Sequence, residues 1–335
     1  MPETHGAPLA SSPEVLRRLV GDRLLIAALA ALALLAALYI TGSIGSDAVS
    51  GGGPGPRAVL LIADLRGQAL VVVDLERTGS PTRIAVPGGP HELVLLDDGR
   101  VVTSLEQQGA LAVVDLDQGS VEIIEVGGLP HGLAVSDGLL YVTDRSIGAV
   151  RRLRVDGWAE LSPLPAGDAP HAVRALPGGE LVIVSAGDDA VRIGDRLLRV
   201  SALPETVALS PDGAFVATAS ALGGALDLFA VDGTLLMHVA LGGRPVRVVF
   251  SPSGGQIAVA LSANSTVALV DMRGAVRTVP VPGVPDGLAF DATGRFLFVS
   301  DLTRGGVSVI DLAAGRVTGR IAAGESAGAL LALAR

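Results

Sequence analysis

From residue 57 onward the chain repeats itself about every 40 residues, and this period constrains the fold more than any other feature. Units open at Pro90 (PHELVLLDDGRVVTSL), Pro130 (PHGLAVSDGLLYVTD), Pro170 (PHAVRALPGGELVIVS), Pro204 (PETVALSPDGAFVATA), Pro245 (PVRVVFSPSGGQIAVA) and Pro285 (PDGLAFDATGRFLFVSD). Each holds two alternating apolar runs around a turn such as Ser210-Pro211-Asp212-Gly213 or Asp291-Ala292-Thr293-Gly294, which is hairpin chemistry. A third run ends in Asp, at Asp74, Asp115, Asp156, Asp195, Asp232, Asp271 and Asp311. An Asp repeated at one position of every unit is a turn former that bonds its own backbone, not a catalytic group.

Six units are complete and the seventh is split. Ala327–Leu333 (AGALLAL) reads as a first strand, while AVLLIAD, ALVVVDL and TRIAV between Ala58 and Val86 read as the other three. Chain ends that share one unit close a ring, and closure removes the exposed strand edges of an open array. The expected fold is therefore an all-β, seven-bladed β-propeller over residues 57–335. Its last blade takes the first strand from the C-terminus and three strands from the N-terminal side.

Ahead of the repeats, Leu24–Ile40 (LLIAALAALALLAALYI) carries no charge and is long enough to span hydrocarbon. Arg17, Arg18 and Arg23 precede it and no basic residue follows until Arg57, so the positive-inside bias assigns the ends. Residues 1–23 are expected to be a cytoplasmic tail, 24–44 a transmembrane signal anchor, and 45–56 a flexible linker. The propeller then stands on the extracytoplasmic side of the cell membrane. A cleaved signal sequence is the alternative, since Ala48-Val49-Ser50 offers small residues at a cleavage position, and it would leave the propeller secreted or periplasmic.

The chain contains no cysteine and no lysine. Disulfides, thiolate metal sites, cysteine nucleophiles, Schiff-base chemistry and the phosphate-loop lysine are thereby excluded. The net charge is −9; residues 1–56 contribute −1 (four acidic against three basic residues), which leaves −8 on the repeats. With no basic stripe and only 3% aromatic residues, nucleic acid is not an expected partner.

The units PHGLAVSDGLLYVTD from Pro130 and PDGLAFDATGRFLFVSD from Pro285 resemble the YVTN-type β-propeller repeat family. Its pattern runs roughly Pro-His-Gly, an apolar strand, Ser-Pro-Asp-Gly, Tyr-Val-Thr-Asn, then a Val-rich strand ending in Asp. The resemblance covers about residues 57–335, with one consistent departure: Asp144 and Asp301 stand where the pattern has Asn. It implies a bacterial, extracytoplasmic propeller and is poor in function, because one fold hosts many roles.

In a propeller the first strand of each blade lines the central channel, so the residue after each opening Pro rings one mouth. That ring reads His91, His131, His171, Glu205, Val246, Asp286 and Ala327. The loops between second and third strands add Arg66, Glu106, Asp144, Arg145, Asp188, Asp189, Asp301 and Arg304 to the same face, where charged tips are ordinarily solvated. His238 falls on an outer strand and Trp158 at an outer turn.

Two readings follow. In the first, the chain is a membrane-anchored, non-enzymatic binding or scaffold module that holds a cell-envelope protein or a small polar ligand on this face. In the second, it is a metal-dependent lyase or lactonase. His91, His131 and His171 would then ligate a divalent ion, with Glu205 or Asp286 as the catalytic base. The resemblance and the lack of any catalytic motif lean toward the first.

Overall fold

The computed structural model describes residues 58–77 and 80–334. They form seven four-stranded antiparallel sheets. Blade 1 runs Leu93–Leu95, Val101–Leu105, Ala110–Asp115 and Ser120–Glu125 from the inside outward. Blades 2 to 6 follow in chain order, their inner strands Pro130–Ser136, Pro170–Ala175, Pro204–Leu209, Pro245–Phe250 and Pro285–Phe290. Blade 7 is the split one: Ala327–Ala334 pairs antiparallel with Ala58–Asp64, which pairs with Ala69–Asp74 and then Thr82–Ala85.

The ring closes through apolar side chains between blades. Leu60 and Ile62 of blade 7 pack with Ala289, Phe298 and Val307 of blade 6, while Leu61 and Leu70 pack with Val101, Leu105 and Ala112 of blade 1. Each such fully buried Leu or Ile contributes about 1.5–3 kcal/mol. Second and third strands are largely buried on both faces, which explains continuous runs such as AVLLIAD and ALAVVD in place of strict alternation. The outer strand Ser120–Glu125 turns Val121 and Ile124 toward the blade and leaves the rest to water.

The repeated Asp at the end of the third run is a turn former at Asp74, Asp115, Asp232, Asp271 and Asp311, while Asp156 pairs with Arg154 instead. Asp115 Oδ1 accepts the backbone N–H groups of Asp117 and Gln118, Asp271 those of Arg273 and Ala275, and Asp311 those of Ala313 and Ala314. His238 does lie on an outer strand, with its Nδ1 2.6 Å from Asp227 Oδ1. Trp158 follows the third strand of blade 2, with the Arg100 guanidinium 5.6 Å above its ring.

A bulge at the start of the inner strand sets the channel-mouth residue of blades 2 to 6. Pairing shifts between Pro130 and Leu133, Pro170 and Ala172, Pro204 and Thr206, Pro245 and Arg247, and Pro285 and Leu288. The extra residue has no ladder partner and is re-aimed. Hydroxyls on the second strand satisfy the N–H groups thus released: Thr143 Oγ1 accepts from Gly132, Ser300 Oγ from Gly287 and Ser104 Oγ from Glu92, at 2.7, 2.6 and 3.2 Å. That is the physical role of the Thr or Ser in the repeat. At Gly132 and Gly287 a Cβ would sit 2.5 and 2.2 Å from the carbonyl oxygens of His171 and Gly328, so only glycine fits.

The same register corrects one member of the ring. Ala327 pairs with Asp64 as Pro130 pairs with Asp144, so Ala327 takes the proline position and Gly328, not Ala327, completes the mouth. The expected tail 1–23, membrane segment 24–44 and linker 45–56 lie outside the described residues. Among the described residues no helix is long and apolar enough to cross a membrane.

Candidate functional site

The three imidazoles of blades 1 to 3 form a short column at the mouth. Ring centroids of His91 and His131 are 4.6 Å apart, and those of His131 and His171 are 3.9 Å apart. Each of the latter two reaches to the next blade: His131 Nδ1 donates to the His171 carbonyl at 2.9 Å, and His171 Nδ1 donates to the Glu205 carbonyl at 2.6 Å. A carbonyl accepts only from N–H, so both rings carry their proton on Nδ1 and leave Nε2 with a lone pair. Burial, reinforced for His131 by the neighbouring imidazoles, holds both below the ordinary histidine range, His171 at about 4. They are neutral at pH 7, the form that binds metal or accepts a proton.

Two charged residues absent from the sequence-based ring dominate the electrostatics here. Glu92 and Arg247 are the third residues counted from the opening Pro90 and Pro245, where blades 2 and 6 have Gly132 and Gly287. They meet across the channel from blades 1 and 5: Arg247 Nη1 donates to Glu92 Oε2 at 3.0 Å, and Nη2 lies 2.8 Å from Oε1. Arg247 Nη2 is also 3.6 Å from Asp286 Oδ2. Burial raises the Glu92 carboxyl, but the Arg247 charge and hydrogen bond outweigh it and hold the group well below the usual carboxylate range. Burial likewise works against the Arg247 cation, and the two carboxylates more than offset it. The pair is a charged strut under the histidine column.

Three buried atoms at this point have no hydrogen-bond partner: His91 Nδ1, Glu92 Oε1 and Arg247 Nε. Oε1 is near Arg247 Nη2 but outside hydrogen-bonding direction, and it lies 3.9 Å from His91 Nδ1. Ligand atoms of His91, Glu92 and His131 all lie within 4.8 Å of one another. Two imidazole nitrogens and a carboxylate oxygen, two of them unsatisfied and facing each other, fit a divalent cation by donor type and spacing. Of the three expected ligands the structure gathers His91 and His131, adds Glu92, and leaves His171 outside the group.

Glu205 and Asp286 both reach the mouth. Glu205 pairs with the exposed Arg244 at 3.5 Å, and burial raises its carboxyl. Asp286 is held beside Arg247. Asp144 and Asp301, expected as solvated loop tips, are instead fully buried. Asp144 accepts from the backbone N–H groups of Leu129 and Ser146 and pairs with Arg151 at 2.7 Å; Asp301 accepts from Val284 and Thr303 and pairs with Arg320 at 3.2 Å. Asp64 repeats the arrangement in blade 7 with Arg83 at 2.8 Å. Asn cannot form that ion pair, which accounts for Asp at the repeat's Asn position. Glu106 and Arg145 pair with each other at 2.8 Å, and Arg66 bonds the carbonyls of Thr303 and Glu325.

Glu92 and Arg247 carried a readable signal: each is a charge where the repeat has glycine. The strut itself was not readable, since its partners are 155 positions apart.

No protein-family model matches the chain, so the YVTN-type resemblance rests on the repeat residues alone. Virginiamycin B lyase of Nocardia farcinica is 33% identical over 193 residues, which span 52% of this chain and 64% of that protein, just under two thirds of its length. Among solved structures, a functionally unknown protein from Desulfotomaculum acetoxidans superposes with a TM-score of 0.71 at 15% identity, covering 82% of this chain and 99% of that one. Virginiamycin B lyase from Staphylococcus aureus, in a catalytically inactive form with quinupristin, gives 0.63 at 12% identity over 79% and 88% of the two chains. The chain therefore has the seven-bladed β-propeller fold, with structural neighbours that include virginiamycin B lyase.

Proposed function

We propose that the protein is an enzyme, a metal-dependent lyase or lactonase that works at the histidine mouth of the channel. The observation that carries this is the pair of unsatisfied atoms, His91 Nδ1 and Glu92 Oε1, facing each other beside the neutral His131. The similarity to virginiamycin B lyase supports this reading over a scaffold role.

In this reading His91, Glu92 and His131 hold a divalent cation. When bound, the ion supplies a Lewis acid that polarises a substrate carbonyl. The remaining groups act from fixed positions. Glu205, whose carboxyl is raised by burial, is the base that takes the substrate proton. His171 stays neutral and bonds the Glu205 backbone, which fixes the neighbouring strand against the column. The strut beneath, Glu92 to Arg247, orients the carboxylate from behind. We further propose that residues 24–44 anchor the chain, with the propeller on the extracytoplasmic side of the membrane; the uncharged run after three arginines supports this.

The test is incubation of the full chain with virginiamycin B and with a panel of simple lactones, followed by mass spectrometry. Opening a ring by elimination leaves the mass unchanged, whereas hydrolysis adds one water, so the product identifies the class. Turnover that falls about a hundredfold or more in Glu205→Gln supports the proposal. No turnover of any substrate with the divalent ions supplied returns the mouth to a binding role.

A further inference from the structure

Below the strut the channel widens into a cavity of about 490 Å³. Its ceiling includes Glu92 and Arg247, and its walls run down the inner strands to Phe250, Pro252 and Phe290 at the opposite face. None of the ring histidines contributes to its walls, so the strut separates this space from the mouth above. The volume is that of a small-molecule site, and such sites are mostly apolar with a few placed polar groups.

One such group is unexplained. Arg174 lies in the wall at the fifth position of blade 3, where blades 2, 4 and 6 carry Ala134, Ala208 and Ala289. Its side chain is half-buried and forms part of the cavity wall. Nη1 donates to the Val173 carbonyl at 2.8 Å and, more weakly, to the Leu133 carbonyl at 3.4 Å. Among the described residues no carboxylate lies within ion-pair distance of it, and the one acid in the cavity wall, Glu92, is already bonded by Arg247. Burial accordingly disfavours its charged form. A half-buried cation that no carboxylate neutralises favours a ligand that brings the anion.

We infer that the lower channel is a second ligand site, for a small monocarboxylate with an apolar body, whose carboxylate pairs with Arg174 while its body lies between Phe250 and Phe290 at the entrance. A planar carboxylate matches the guanidinium fork with two parallel hydrogen bonds. The apolar wall selects against small inorganic anions, which would lose water and gain only one partner. The site opens on the face opposite the histidines and does not depend on what they do.

Isothermal titration calorimetry of the full chain with 4-phenylbutyrate and with 4-phenylbutanol tests this. The acid is expected to bind one to one and about tenfold or more tighter than the alcohol. Arg174→Met should lower the acid's affinity by about tenfold or more and leave the alcohol's unchanged, while Arg174→Lys should retain part of the preference. Equal binding of acid and alcohol, no binding of either, or an Arg174→Met chain that keeps the preference overturns the assignment. Should Arg174→Met fail to fold, the acid-to-alcohol ratio on the native chain decides. Turnover at the upper mouth is read separately, so failure of one site is not failure of the other.

Discussion

At the scale of single residues, the repeat makes departures from it informative. Pro-His at blades 1 to 3 reads as a possible ligand set, yet two of those histidines spend Nδ1 on a neighbouring backbone and only Nε2 remains for chemistry. The residues that reshape the site are Glu92 and Arg247, where the pattern has glycine. Removing one partner of a buried ion pair strands the other, so Arg247→Met should cost about 3–5 kcal/mol in urea unfolding. The double change Glu92→Leu with Arg247→Met should recover most of that loss, because no buried charge is left unpaired within the strut. Equal destabilisation by the single and double variants would mean the pair is not a strut. Arg174 was not legible in the same way, since an arginine on a strand reads as an exposed side chain until the channel is seen around it.

At the scale of the strand and its loop, the bulge explains the repeat. It frees an N–H that a Thr or Ser on the second strand satisfies, and it turns the residue before that N–H into the mouth. Hairpin turns, strand order and the turn-forming Asp were readable because each has a local chemistry. The bulge was not, and that is why the seventh mouth position reads as Ala327 and is Gly328. The Asp at the end of the second strand gives a pH test. Burial raises the Asp144 carboxyl, but hydrogen bonds from Ser146 and Leu129 and the pairing with Arg151 lower it below 3.8 overall. A lowered folded pKa adds stability that is fully present above 3.8 and lost as pH falls through the folded value. Asp144→Asn should therefore be about 1–2 kcal/mol less stable than the native chain at pH 7, with the gap closing toward pH 3 in thermal unfolding followed by circular dichroism. A gap that stays constant with pH would show that charge is not what Asp contributes there.

At the scale of the whole molecule, the ring and its count were legible from the period and from the split unit, because closure demands that the two ends complete one blade. The strand Ala327–Ala334 pairs with Ala58–Asp64 and places Leu330 and Leu331 against blades 6 and 1. A chain ending before Ala327 leaves Ala58–Asp64 as an open edge. It should lose cooperative urea unfolding and associate in size-exclusion chromatography; a monomer with an unchanged midpoint would contradict ring closure as the source of stability. The strut from blade 1 to blade 5 divides this ring into a histidine mouth and a lower cavity, and among the described residues the cluster of donors suited to a metal lies at the mouth. Elemental mass spectrometry of the full chain after loading with Zn²⁺, Mn²⁺ or Mg²⁺ and desalting tests that directly. The account predicts one divalent ion per chain, reduced to a trace in the double variant His91→Ala, His131→Ala; a native chain that retains none of these ions would contradict it.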